Sequence, residues 1–143
     1  MNKFGIHIKA KDIQKSYRFY KTFGFKPIFA YGNTKWQDQL KTDFKDLTTV
    51  DEKYEGVTFE FNGALLEIAN GHIAVKAEVF KESISSSKVS AMVDIDSIEQ
   101  IVSICKLNNI EITVQPRTFH WGSTEVVITD PDGLILVFRE KSI

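Results

Sequence analysis

The 143-residue chain has one cysteine, three histidines and almost no net charge. The single Cys105 excludes an internal disulfide. Lys and Arg number 18 against 19 Asp and Glu, so no field of one sign exists to hold nucleic acid or an anionic membrane. No run of about 18 apolar residues occurs, which excludes a bilayer-spanning helix. The opening residues Met1 to His7 lack the apolar stretch of a secretory signal. Glycine-rich phosphate loops, paired-cysteine metal motifs and a G-x-S-x-G elbow are missing as well. The expectation is a soluble protein of a reducing cytoplasm, with neither nucleic acid nor membrane as partner.

What is present is a core-forming chain, 43% hydrophobic and of single-domain length, with room for two small modules sharing one core. Phe4–Ala10 alternates, with Ile6, Ile8 and Ala10 on one face, and reads as a strand. Asp12 can cap a helix whose apolar positions Ile13, Tyr17, Tyr20 and Phe23 follow helical spacing, and Gly24 suits its stop. A strand over about Phe25–Tyr31 follows. Val57–Phe61 and Ala64–Ala69 flank Asn62-Gly63, a strong hairpin signal because both turn residues tolerate positive φ. The same order returns later. Val89–Asp94 reads as strand, Ser97–Leu107 as helix, Glu111–Gln115 as strand, and Glu125–Thr129 and Leu134–Arg139 as a pair joined by Asp130-Pro131-Asp132-Gly133. Ile98, Val102 and Cys105 stand 85 positions after Ile13, Tyr17 and Tyr20, which fits an internal duplication. The polar stretch 33–55 is long for a connection. It can carry a short helix through Trp36, Leu40 and Phe44, acting as a lid or as a surface decoration.

The opening D-I-x-x-S-x-x-F-Y-x-x-F-G-F over Asp12–Phe25, Trp121-Gly122, and the late Asp-Pro-Asp-Gly turn together resemble the vicinal oxygen chelate superfamily. That superfamily includes glyoxalase I, bleomycin resistance proteins, extradiol dioxygenases and fosfomycin resistance enzymes. The resemblance implies an α+β fold of two βαβββ modules in a cupped, incomplete barrel. Module 1 would cover about 1–80, a linker about 81–88, and module 2 about 89–143. It also implies a metal held from the first and fourth strands of each module. Those positions fall on Gly5, Glu67, Ser90 and Val137. Of these only Glu67 is a metal-ligand type, and a divalent ion needs several converging donors. The pattern is therefore closest to the metal-free bleomycin resistance-like branch, and no metal or other cofactor is expected.

Alternation puts Gly5, His7, Thr58, Glu60, Glu67, Ser90, Met92, Ile135, Val137 and Arg139 on the cavity faces, with Ile6, Ile8, Val89, Ala91, Leu66, Ile68, Leu136 and Phe138 opposite, beneath the helices. His7 is displaced about 6.5–7 Å along its strand from Gly5. Three roles are open to it: part of a shifted metal site with Glu67, a polar residue bonded to its neighbours, or a direct ligand contact. Glu67 needs a partner, which His7, Arg139, Thr58 or Ser90 can supply. Glu67 and His7 are the candidate acid–base pair. Thr58, Ser90, Met92, His120, Trp121, Val137 and Arg139 are candidate ligand contacts, and Phe119, His120 and Trp121 suit a planar ligand or a dimer contact. Phe59, Phe61, Tyr17 and Tyr20 read as core, and Cys105 as packing.

The reading is a metal-independent small-molecule binding protein of the glyoxalase/bleomycin resistance type, sequestering a toxic or antibiotic compound and pairing as a homodimer. Two alternatives stay open. One is a lyase, isomerase or dioxygenase with an atypical site at His7 and Glu67. The other is an interaction subunit with a vestigial cavity.

Overall fold

The computed structural model describes residues 3–141, which fold as two compact units dividing between Ser83 and Ile84. In the first unit, strand β1 (Phe4–Lys9) leads to helix α1 (Ile13–Thr22). Asp12 caps α1 by accepting the Lys15 amide, and Gly24, at φ 87°, ends it. Strand β2 (Lys26–Gly32), helix α2 (Thr34–Asp43) and strands β3 (Thr48–Asp51), β4 (Gly56–Phe61) and β5 (Ala64–Ala69) complete the unit. The sheet order is β1-β5-β4-β2-β3. Asn62 and Gly63 both take positive φ, 48° and 90°, in the two-residue turn between β4 and β5.

The second unit runs β6 (Ser90–Asp94), α3 (Ile98–Leu107), β7 (Val114–Thr118), β8 (Ser123–Thr129) and β9 (Ile135–Lys141), ordered β6-β9-β8-β7. In both units the first strand lies parallel to the last, and the last pairs antiparallel with the strand before it. The strand–helix–three-strand pattern is therefore present twice, with one addition.

That addition is the 33–55 stretch. It carries the expected short helix, in which Trp36 and Leu40 are buried, and then β3, which adds a parallel edge strand to β2. Asn33 caps α2, and the Trp36 indole donates to the Gly56 carbonyl at 3.2 Å. Phe44 is the C-terminal cap of that helix and is only partly covered. The Tyr17 hydroxyl on α1 donates to Asp43 at the end of α2 at 2.7 Å, and Lys21 reaches the same oxygen at 3.1 Å. Burial, then the bond to Asp43, pushes the Tyr17 phenol up, while Tyr17 and Lys21 hold the Asp43 carboxyl below its usual range.

Each sheet buries one face. Ile8, Ile68, Val57 and Phe59 are buried, and Phe59 meets the rings of Tyr17 and Tyr20 from α1 at 6.4 and 5.9 Å. In the second unit Val126, Ile128, Leu136 and Phe138 are buried together with Ile98, Ile101 and Cys105 of α3. Burying each large side chain is worth about 1.5–3 kcal/mol. Desolvation raises the Cys105 thiol, as suits a packed rather than a reactive cysteine.

Two residues expected in these faces are not there. Val89 lies just before β6 and is 70% exposed, and Ile6 is 39% exposed on β1, a sheet edge with a neighbour on one side only. Strand β7 begins three residues after the expected Glu111 start. Pro116 has no amide hydrogen for the ladder, and pairing with β8 is irregular between Val114 and Arg117.

Candidate functional site

Register across three strands of the first sheet puts His7, Glu67 and Thr58 in one row, with His7 opposite Glu67 and Thr58 opposite Glu67. Phe29 of β2 continues the row beyond Thr58. Their strand neighbours Ile8, Ile68 and Val57 are buried, so the row lies on the face turned away from that core. Glu67 Oε2 accepts the Tyr31 hydroxyl at 2.5 Å, and Oε1 lies 3.5 Å from Thr58 Oγ1. His7 Nε2 stands 3.5 Å from Glu67 Oε2, yet it is shielded from solvent and makes no aligned hydrogen bond. The distance brings the two groups together, and the alignment leaves the nitrogen available.

Burial dominates His7 and holds its imidazole below the usual value. Glu67 opposes that shift, while Lys9 and His72 reinforce it. His7 is thus chiefly neutral at neutral pH. Burial first, then the hydrogen bond to Glu67, pushes the Tyr31 phenol up, so it stays a protonated donor. A carboxylate held by a phenol beside a neutral imidazole can accept hydrogen bonds from a ligand, and the imidazole can take a proton.

Tyr31 reaches Glu67 because of a glycine. Gly56 is opposite Tyr31 in the ladder, and a Cβ there would overlap the Tyr31 ring. The ring therefore lies over Gly56, braced by Phe29 and Tyr54 at centroid distances of 6.1 and 5.9 Å. Sequence reasoning missed Tyr31 because β2 contains a bulge. Register shifts between Pro27 and Phe29, so counting by twos from the buried Phe25 puts Tyr31 on the wrong face.

The residues present do not fit the metal that the resemblance implies. Gly5 not only lacks a donor but has no room for one, since a Cβ on it would stand 2.7 Å from Leu65 Cβ and 2.8 Å from the Leu65 carbonyl oxygen. Ser90 is exposed, and Val137 offers no donor atom. Among the described residues no cluster of three or more His, Cys, Asp or Glu gathers.

The other candidates lie in the second unit. A row of alternating charge crosses its sheet, with Asp94 opposite Arg139, Arg139 opposite Glu125, and Glu125 opposite Arg117. The Arg139 guanidinium is engaged by Asp94 through Nη2 at 2.7 Å and Nε at 2.8 Å. Trp121 stacks on Phe119 at 4.5 Å with planes 10° apart, and Arg117 covers Phe119 at 5.2 Å. His120 meets Trp121 edge-on at 5.0 Å. The Trp121 indole donates to Ser123 Oγ, which donates to Glu125 at 3.0 Å. Trp121 is 62% and Met92 66% exposed. Glu125 and Ser123 were not foreseen, although alternation along β8 places both on the face of Arg139.

Comparison with known proteins bears on the family and the fold. The profile of the Glyoxalase/Bleomycin resistance protein/Dioxygenase superfamily matches residues 6–138. No curated protein matches. A glyoxalase/bleomycin resistance protein/dioxygenase from Nocardioides is similar at TM-score 0.62 and 15% identity, over 99% of this chain and 83% of that one. A genomically encoded fosfomycin resistance protein from Listeria monocytogenes, complexed with Mn(II) and sulfate, is similar at TM-score 0.60 and 13% identity, over 100% and 93%. Glyoxalase I from Zea mays is similar at TM-score 0.69 and 16% identity, over 97% of this chain and 44% of that one. At these identities the structures establish the fold.

Proposed function

We propose, from the premise that the chain belongs to the glyoxalase/bleomycin resistance protein/dioxygenase superfamily, that it binds a small molecule on the Glu67 face without a metal. One observation carries this reading. Glu67 is already held by Tyr31, while its expected metal-sharing position, Gly5, is closed by Leu65. Thr58, His7 and Phe29 offer the mixed polar and apolar lining that suits a ligand of both characters. In the second unit, taken by itself, the stack of Phe119 with the exposed Trp121, with Arg117 and His120 beside it, suits a flat ring as a separate contact surface. Sequestration of a toxic or antibiotic compound, by a homodimer in the cytoplasm, is the role that fits such a site.

A thermal-shift screen of antibiotics and metabolites in excess chelator tests this. A ligand that raises the wild-type melting temperature should do so much less with Glu67→Gln, which keeps the shape and removes the charge. Stabilisation that disappears in chelator would overturn the reading.

The 3.5 Å approach of His7 Nε2 to Glu67 favours a second reading, a metal-free isomerase. In it, neutral His7 removes a substrate proton and returns it at another atom. Exchange of substrate hydrogen with deuterated water, lost in His7→Gln, would support that reading over simple binding.

A further inference from the structure

Resting on the binding reading of the Glu67 face, we propose that the ligand of this face is an organic ammonium, an amine cation that carries an apolar or aromatic group. The Glu67 carboxylate stands on β5, the second of five strands, and no Lys or Arg among the described residues pairs with it. Its neighbours show the contrast. Glu60, on the same face of the adjacent strand β4, is met by Lys3. Lys9, two residues after His7 on the same side of β1, gives its ammonium to the His7 carbonyl oxygen at 3.3 Å. The groups that do reach Glu67 are uncharged: the Tyr31 hydroxyl at 2.5 Å, the Thr58 hydroxyl at 3.5 Å, and His7, which burial keeps chiefly neutral, at 3.5 Å. One negative charge therefore stands on this face without a counter-charge.

The geometry leaves a place for one. Tyr31 takes Oε2, while Oε1 has only the long Thr58 contact, so that oxygen keeps acceptor capacity, and the side chain is 33% exposed. The row of the sheet that holds Glu67 continues through Thr58 to Phe29, two strands and about 9–10 Å away. Contact of the Phe29 ring with the Tyr31 ring, at 6.1 Å between centroids, sets it on the Glu67 side of the sheet. An ammonium at Oε1 gains a charge-assisted hydrogen bond, and an apolar body attached to it extends across Thr58 towards the Phe29 ring. A neutral ligand of the same shape forfeits the charge, and an anion meets a carboxylate that no cation offsets. The face thus selects by sign of charge first and by apolar reach second.

The test follows the amide chemical shifts of His7, Thr58 and Glu67 during titration with 2-phenylethylamine, 2-phenylethanol and phenylacetate, at neutral pH, constant ionic strength and in excess chelator. Saturable shifts with the amine, binding about tenfold weaker with the alcohol, and none with phenylacetate are expected. Glu67→Gln should bring the amine down by about tenfold to the level of the alcohol, as loss of one charge-assisted hydrogen bond requires. Phe29→Leu, which keeps an apolar side chain and removes the ring, should weaken amine and alcohol by the same factor. Alcohol or phenylacetate binding as tightly as the amine at these amides, or unchanged amine affinity in Glu67→Gln, would overturn the inference and leave the binding reading of this face standing. No response to any of the three in the millimolar range would also overturn it, and the thermal-shift screen then decides the binding reading by itself.

Discussion

Glu67 gains its character from residues that are distant in sequence. Tyr31 donates to it, Gly56 gives the Tyr31 ring its place, and His7 faces it without bonding. Tyr31→Phe removes the hydrogen bond and should cost about 1 kcal/mol of stability, read as a lower urea midpoint. Gly56→Ala drives a methyl into the ring and should cost about 1–3 kcal/mol. An unchanged midpoint in that variant would mean that the ring does not lie over Gly56. His7 gives a pH signature. Its folded value is depressed below 6.5, so between that value and 6.5 the unfolded chain binds more protons. Stability should therefore fall as pH drops through this window and level off below it. His7→Gln should flatten the slope, and a His7 resonance titrating above 6.5 would contradict the assignment.

At the scale of elements, turn chemistry was the most legible part of the chain. Asn62-Gly63 adopts the paired positive φ that a two-residue hairpin needs. In the Asp130–Gly133 turn, Asp130 Oδ1 accepts the amides of Asp132 and Leu134 at 2.9 and 2.8 Å. Gly133 takes φ 97°, and a Cβ there would also strike the Ile84 carbonyl, whose own amide is bound to Asp132 at 2.7 Å. Gly133→Val should thus cost more than about 1 kcal/mol, and an unchanged urea midpoint would refute the turn. Less legible was anything that depends on a neighbour. β3 is four mostly exposed residues, recognisable only by its pairing with β2. β7 contains Pro116, and its pairing with β8 is irregular between Val114 and Arg117, so its bounds depend on the partner strand. The α1–α2 tie through Asp43 was equally hidden. Tyr17→Phe should cost about 1 kcal/mol there. The Asp43 part of that stability should be lost as pH falls below 3.8 through its lowered value.

For the molecule as a whole, the repeated order of strand, helix and three strands was readable because each module repeats the same changes of hydrophobic period. The family follows from the profile over residues 6–138. The site was half readable. Alternation brought His7, Glu67 and Thr58 to one face, since β1, β4 and β5 pair without irregularity. It missed Tyr31 behind the β2 bulge, and it left open the partner of Arg139, which is Asp94, directly opposite in the β6–β9 ladder. The central proposal is that this superfamily member works without a resident metal, because Gly5 admits no donor, Val137 offers none and Ser90 is exposed, which leaves Glu67 alone among the expected positions. Elemental analysis of protein purified without chelator tests it most directly. Far less than one divalent ion per chain is expected, with no change in Glu67→Gln or His7→Gln. One ion per chain in the wild type, lost in either variant, would contradict the claim.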